Sequence, residues 1–87
     1  MGLELVRELP EVSSIAVDGD LIELGFEQRI ELVPGIRGER VVLTGNSGGQ
    51  FIVVIGHIVE HENVEGGIPE VFCRMKIKGS YVEFNSI

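Results

Sequence analysis

Tryptophan is absent from this chain, and tyrosine and cysteine occur once each. A single thiol, Cys73, excludes an intrachain disulfide and fits a reducing compartment. Bases are scarce: seven Lys and Arg stand against fourteen Asp and Glu, a formal charge of −7. Phosphate backbones and anionic membranes are gripped through Lys and Arg, so neither nucleic acid nor a membrane surface is an expected partner. No apolar run approaches the ~20 residues that span a bilayer; the longest, FIVVIGHIV, is far shorter. The N-terminus shows no basic region followed by an apolar stretch, so no secretory signal is expected and the cytoplasm is the default location.

What remains is apolar enough to fold and too short for a second domain. Residues 1–87 are read as one domain with a thin core, or with a core completed by another copy. Apolar periodicity is close to two, and turn signals recur every eight to twelve residues. This pattern predicts an all-β fold, a small barrel or sandwich of about 6–8 short, mostly antiparallel strands. Asp18-Gly19 reads as a hairpin turn between SSIAV and LIELGF. Pro34-Gly35 closes a strand QRIELV. GNSGGQ separates RVVLT from QFIVVIGHIV as a hairpin loop. Lys78-Gly79 or Gly79-Ser80 joins VFCRMKI to YVEFNSI, and VEGGIPE, residues 64–70, is the longest remaining loop. LELVREL fits a strand or a helix, with strand preferred.

GHIVEHEN contains His57, Glu60 and His61 in H-x-x-E-H order, the spelling of an inverted zinc-protease motif. Two histidines four apart converge on one ion only on successive turns of a helix. The β-branched run and internal Gly56 make a poor helix. On a strand the two imidazoles share a face but stand roughly 13 Å apart. The letters therefore spell a strand leaving the core. Its odd face (Phe51, Val53, Ile55, His57) and even face (Ile52, Val54, Gly56, Ile58) are both apolar at first, which predicts cover on both sides. Phe51, Val53, Ile55 and Met75 are assigned to the core.

If VEGGIPE turns the chain back as a hairpin, one register sets Glu60 opposite Arg74, Ile58 opposite Lys76 and His61 near Cys73. Glu60 and Glu62 then share a face with Arg74, Lys76 and Lys78, while Cys73, Met75 and Ile77 continue an apolar row with Val59. Opposed charges of this kind contribute little energy but help to fix register. Elsewhere the turn reading accounts for Asp18 and Asp20, which lack the remaining ligands of a calcium loop. Glu27, Arg29 and Glu31 form the solvated face of a strand. GNSGGQ lacks the Lys-Ser/Thr of a phosphate loop. Nothing sets a nucleophile beside a base.

The expectation is a non-catalytic, acidic β-domain that acts as a protein-binding or self-assembly module. Its interface is placed on Glu60, Glu62, Arg74, Lys76 and Lys78. A homo-oligomer, by default a dimer, closes its strand edges and covers its spare apolar surface. No cofactor is expected. The alternative is a metal- or small-ligand-binding protein that uses His57, Glu60, His61 and Glu62, with Cys73 if the hairpin register holds.

Overall fold

The computed structural model describes residues 5–31, 38–64 and 71–85. They form six strands and no helix: β1 (Leu5–Glu8), β2 (Ser14–Asp18), β3 (Leu21–Phe26), β4 (Arg40–Ser47), β5 (Gln50–Asn63) and β6 (Cys73–Phe84). All belong to one sheet in the order β1-β4-β5-β6-β3-β2. Every neighbouring pair is antiparallel except β1 with β4. The small all-β domain expected from the two-residue period is therefore what forms.

The sheet is curled, and the segment between β1 and β2 shows how. Leu9 and Val12 donate backbone hydrogen bonds to Thr44 and Asn46 of β4, whereas the next residue, Ser13, donates to Gly25 of β3. One short stretch thus links strands from opposite sides of the sheet. Leu9 and Val12 turn inward and complete a core with Ile22, Leu24, Phe26, Val41, Leu43, Ile52, Val54, Ile58, Cys73, Met75 and Ile77.

Two hairpins follow their turn residues. Gly19-Asp20, one residue later than the expected Asp18-Gly19 because Asp18 still pairs in β2, joins β2 to β3 with positive φ at Gly19 only, the pattern of a type II′ turn. Gly48-Gly49 joins β4 to β5 with positive φ at both positions, as type I′ requires. The GNSGGQ loop is thus shorter than expected, because Gly45, Asn46 and Ser47 already belong to β4.

Three expectations fail. The turn at Lys78-Gly79 or Gly79-Ser80 does not exist: β6 runs unbroken through both positions. Gly79 is there because it lies opposite Gly56. A Cβ on Gly79 would fall against the Ile55 carbonyl and the Gly56 Cα, and one on Gly56 against the Lys78 carbonyl and the Gly79 Cα. The glycines mark close backbone approach rather than a turn. Residues 28–31 of QRIELV are not strand, so Glu27, Arg29 and Glu31 do not share a strand face. Asn63 instead takes both backbone groups of Ile30, its Oδ1 accepting from Ile30 N and its Nδ2 donating to Ile30 O, each at 3.3 Å. Finally, Phe51, Val53 and Ile55 are only half-buried, and the core is filled by the even row Ile52, Val54 and Ile58. Met75 is in the core as expected. Pro34-Gly35 and residues 65–70 lie outside the described residues.

Candidate interaction face

The β5 strand carries the candidate residues, and a single bulge decides where they point. Ladder pairs run from Phe51↔Phe84 to Ile58↔Ile77, then resume at Glu60↔Lys76, with Val59 unmatched and half-exposed. An extra residue exchanges the faces of everything beyond it. Before the bulge, even positions face the core; after it, odd positions do. Without it, Glu60 and Glu62 would point into apolar surroundings, at several kcal/mol for each unpaired carboxylate.

The bulge also moves the expected register. Glu60 stands opposite Lys76 rather than Arg74, Glu62 opposite Arg74, His61 opposite Met75, and Ile58 opposite Ile77 rather than Lys76. Ile58, not Val59, continues the apolar row. The charge pairing itself survives: Lys76 Nζ lies 3.6 Å from Glu60 Oε2. Lys78 Nζ lies 3.9 Å from Asp20 Oδ2, with both side chains largely in solvent. A double-mutant cycle on Glu60 and Lys76 should give a coupling of about 0.2–1 kcal/mol that fades with added salt.

His57 and His61 do not share a face. His57 is exposed on the outer side, in a row with Arg40 and Lys78, whereas His61 turns toward the core beside Met75. The ligand set His57, Glu60, His61 and Cys73 is therefore split between the two sides of the sheet. Among the described residues no three His, Cys, Asp or Glu side chains gather where they could hold an ion. The His61 Nε2 atom is buried and has no hydrogen-bond partner among the described residues. An unpaired buried polar atom is a liability that an apolar side chain removes. His61→Leu should therefore raise stability by roughly 1 kcal/mol, read from the urea midpoint. A loss of more than that amount would show that the ring makes an interaction essential to the fold.

Cys73 is fully buried opposite Asn63. Burial pushes its thiol up from the ordinary cysteine value, partly offset by a backbone hydrogen bond from Ile30. A raised thiol stays neutral and is a poor nucleophile. In the unfolded chain the thiol ionises at its ordinary value, while the folded chain still holds the proton. Stability is therefore unaffected by this group below that value, and falls as pH rises from it toward the folded value. Cys73→Ala should flatten this alkaline decline, and Ellman's reagent should label wild-type Cys73 only at the rate of unfolding.

The outer face divides into two halves. Toward the Gly48-Gly49 turn the rows read Val42–Ile55–Ser80, Thr44–Val53–Val82 and Asn46–Phe51–Phe84, with Val6 beside Val42. Phe51 and Phe84 stack with ring centroids 6.0 Å apart. Val6, Val82 and Phe84 remain 65%, 41% and 54% exposed. Toward the other end the rows read Arg40–His57–Lys78, then Glu60–Lys76–Glu23, then Glu62–Arg74–Gly25. All five residues assigned to an interface, Glu60, Glu62, Arg74, Lys76 and Lys78, lie together here. Among the described residues Arg40, Arg74, Lys76 and Lys78 occupy this face, against Glu8, Asp18, Glu23, Glu60 and Glu62, with Asp20 reaching Lys78 from the turn, so bases and acids come closer to balance here than in the chain as a whole, at −7.

Elsewhere, a shallow hollow is lined by Glu11, Val12, Ser13, Glu27, Gln28, Ser47 and Gly48. The Ser13 and Ser47 hydroxyls donate to the carbonyls of Gly25 and Val12, and Glu11 accepts from the Gly48 amide. Among the described residues no helix is long and apolar enough to cross a membrane. Compared with protein-family models, curated proteins and solved structures, the chain matches none.

Proposed function

We propose that this protein is a non-catalytic association module that works through the outer face of its sheet. The observation that carries the reading is the half-exposed apolar cluster of Phe51, Val53, Ile55, Val82 and Phe84. Clusters of this kind, rimmed by charge, are the usual mark of a protein contact surface. The closer balance of charge supports the same face: a second copy, itself strongly acidic, can approach here with less of the repulsion met elsewhere. The expected assembly is a homo-oligomer, a dimer in the first instance, in a reducing cytoplasmic setting that suits its lone buried thiol.

Native mass measurement at about 100 µM tests this, since even a contact worth about 5.5 kcal/mol half-forms at that concentration. A dimer is expected. Phe84→Asp, which places a carboxylate in the apolar half at an exposed position, should shift it toward monomer without loss of the β circular dichroism. A wild-type monomer at that concentration, indifferent to Phe84→Asp, would refute self-association.

A further inference from the structure

The β6 strand is flanked on both sides only in its first half. Its residues from Cys73 to Lys78 lie between β5 and β3, but β3 begins at Leu21, opposite Lys78. From residue 79 to residue 84 only β5 remains, and no other described strand lines the opposite edge. Gly79 shows which backbone groups face that gap, because its amide donates across it to the carbonyl of Asp20, at 2.8 Å. N–H and C=O of one residue point to the same side of a strand and alternate along it. The N–H and C=O groups of Tyr81 and Glu83 therefore face the gap, with the Gly79 carbonyl. Ser80, Val82 and Phe84 bond to β5.

We infer that this open edge pairs with the same edge of a second copy, antiparallel about a two-fold axis at Val82. The proposal rests on the association reading above and names its occupant and register. Centred on Val82, Tyr81 lies opposite Glu83 of the second copy and exchanges both backbone bonds with it. Asp20 already lies beside Gly79, so the paired stretch runs over Tyr81, Val82 and Glu83 and stops short of Gly79. The gap-facing backbone groups of Tyr81 and Glu83 are all satisfied, twice over by symmetry. An edge presenting such groups is a template for pairing unless proline, bulges or charge block it. This one has no proline and no bulge, and Glu83 is its only charge.

That charge selects the register. Pairing centred on Glu83 would set two carboxylates directly opposite, an unfavourable arrangement. Pairing centred on Val82 sets each carboxylate against a phenol instead. On the outer face the same register brings Val82 against Val82 and Phe84 against Ser80 of the second copy. The apolar half then continues across the axis, and β4-β5-β6 of one copy runs into β6-β5-β4 of the other. The Gly19-Asp20 turn bounds the gap at its lower end.

Two variants of the full chain test this. Val82 forms a non-hydrogen-bonded pair with itself, for which Cα atoms stand about 4.5 Å apart, within the disulfide range. Val82→Cys should therefore cross-link into a covalent dimer under mild oxidation. Val17→Cys, on β2 and more exposed than Val82, should not. Glu83→Pro removes an amide that β5 does not use, so it should keep the β circular dichroism yet weaken the dimer at least tenfold in sedimentation equilibrium. If Glu83→Pro fails to fold, the Val82→Cys cross-link decides. A dimer that survives Glu83→Pro while Val82→Cys stays uncoupled, or a Val17→Cys chain that links as readily, would overturn the edge pairing and leave association through the outer face standing. A wild-type monomer would overturn both.

Discussion

Gly79→Ala is expected to destabilise the fold by about 3 kcal/mol or more, above the usual range for an added methyl group. The clash is with backbone: the new Cβ would meet the Ile55 carbonyl and the Gly56 Cα, which no side-chain rotation relieves. A chain of this length has a stability of about 4–13 kcal/mol, so the loss is a large part of the whole. Gly56→Ala meets the same obstruction from the other strand. Because both substitutions force apart one pair of backbones, the double variant should lose less than the sum of the two. Gly19→Ala makes the useful contrast. Nothing lies within 4 Å of its would-be Cβ, and only the positive φ of 63° opposes the substitution. It should cost about 1–2 kcal/mol. Urea denaturation of the four variants checks the ranking; equal losses at Gly19 and Gly79 would contradict the close approach of β5 and β6.

Phe26→Ala has the second largest expected effect, a loss of about 3–5 kcal/mol. Phe26 is the largest of the fully buried side chains and ends β3. Its carbonyl also accepts from the Phe72 amide, which ties the start of β6 to this corner. Truncation removes the ring's buried area and leaves a void that a curled sheet, bridged by residues 9–13, has little freedom to close. The urea midpoint should fall with the slope unchanged, the mark of a weakened but still cooperative fold. Phe26→Leu, which refills most of the volume, should lose less than about half as much. A Phe26→Ala loss below about 1 kcal/mol would mean that this end of the core is already loosely packed.

The site was legible in part, and the boundary follows the physics. That residues 50–63 are extended could be read from FIVVIGHIV alone, since β-branched side chains and an internal glycine disfavour the helix that a zinc motif needs. That acids and bases would meet across the β5–β6 hairpin was legible too, because Glu60, Glu62, Arg74 and Lys76 alternate at the strand period. The bulge at Val59 leaves only a trace in the sequence. The even row runs Ile52, Val54, Gly56, Ile58 and then changes abruptly to Glu60 and Glu62. Such a break in phase is what an inserted residue produces. An emerging strand gives the same letters, so only coordinates separate the two.

The role of Gly79 is hidden for a related reason. Glycine beside lysine and serine suits a turn, and nothing local reveals that another glycine, Gly56, lies across the hairpin. The half-buried state of Phe51, Val53 and Ile55 was likewise hidden. Apolar residues on both faces of a strand tell that both faces avoid water, but not whether the cover comes from the same chain or from another molecule.

The amino-acid sequence by itself determined the all-β class, the extended β5, the existence of the β2–β3 and β4–β5 hairpins and the acidic balance, because periodicity, turn chemistry and charge act over a few neighbouring residues. The tertiary structure alone decided the strand order, the bulge that separates His57 from His61, the Gly56–Gly79 crossing and the open half of β6. Each of these depends on which distant backbone lies alongside, and the packing of the whole sheet sets that.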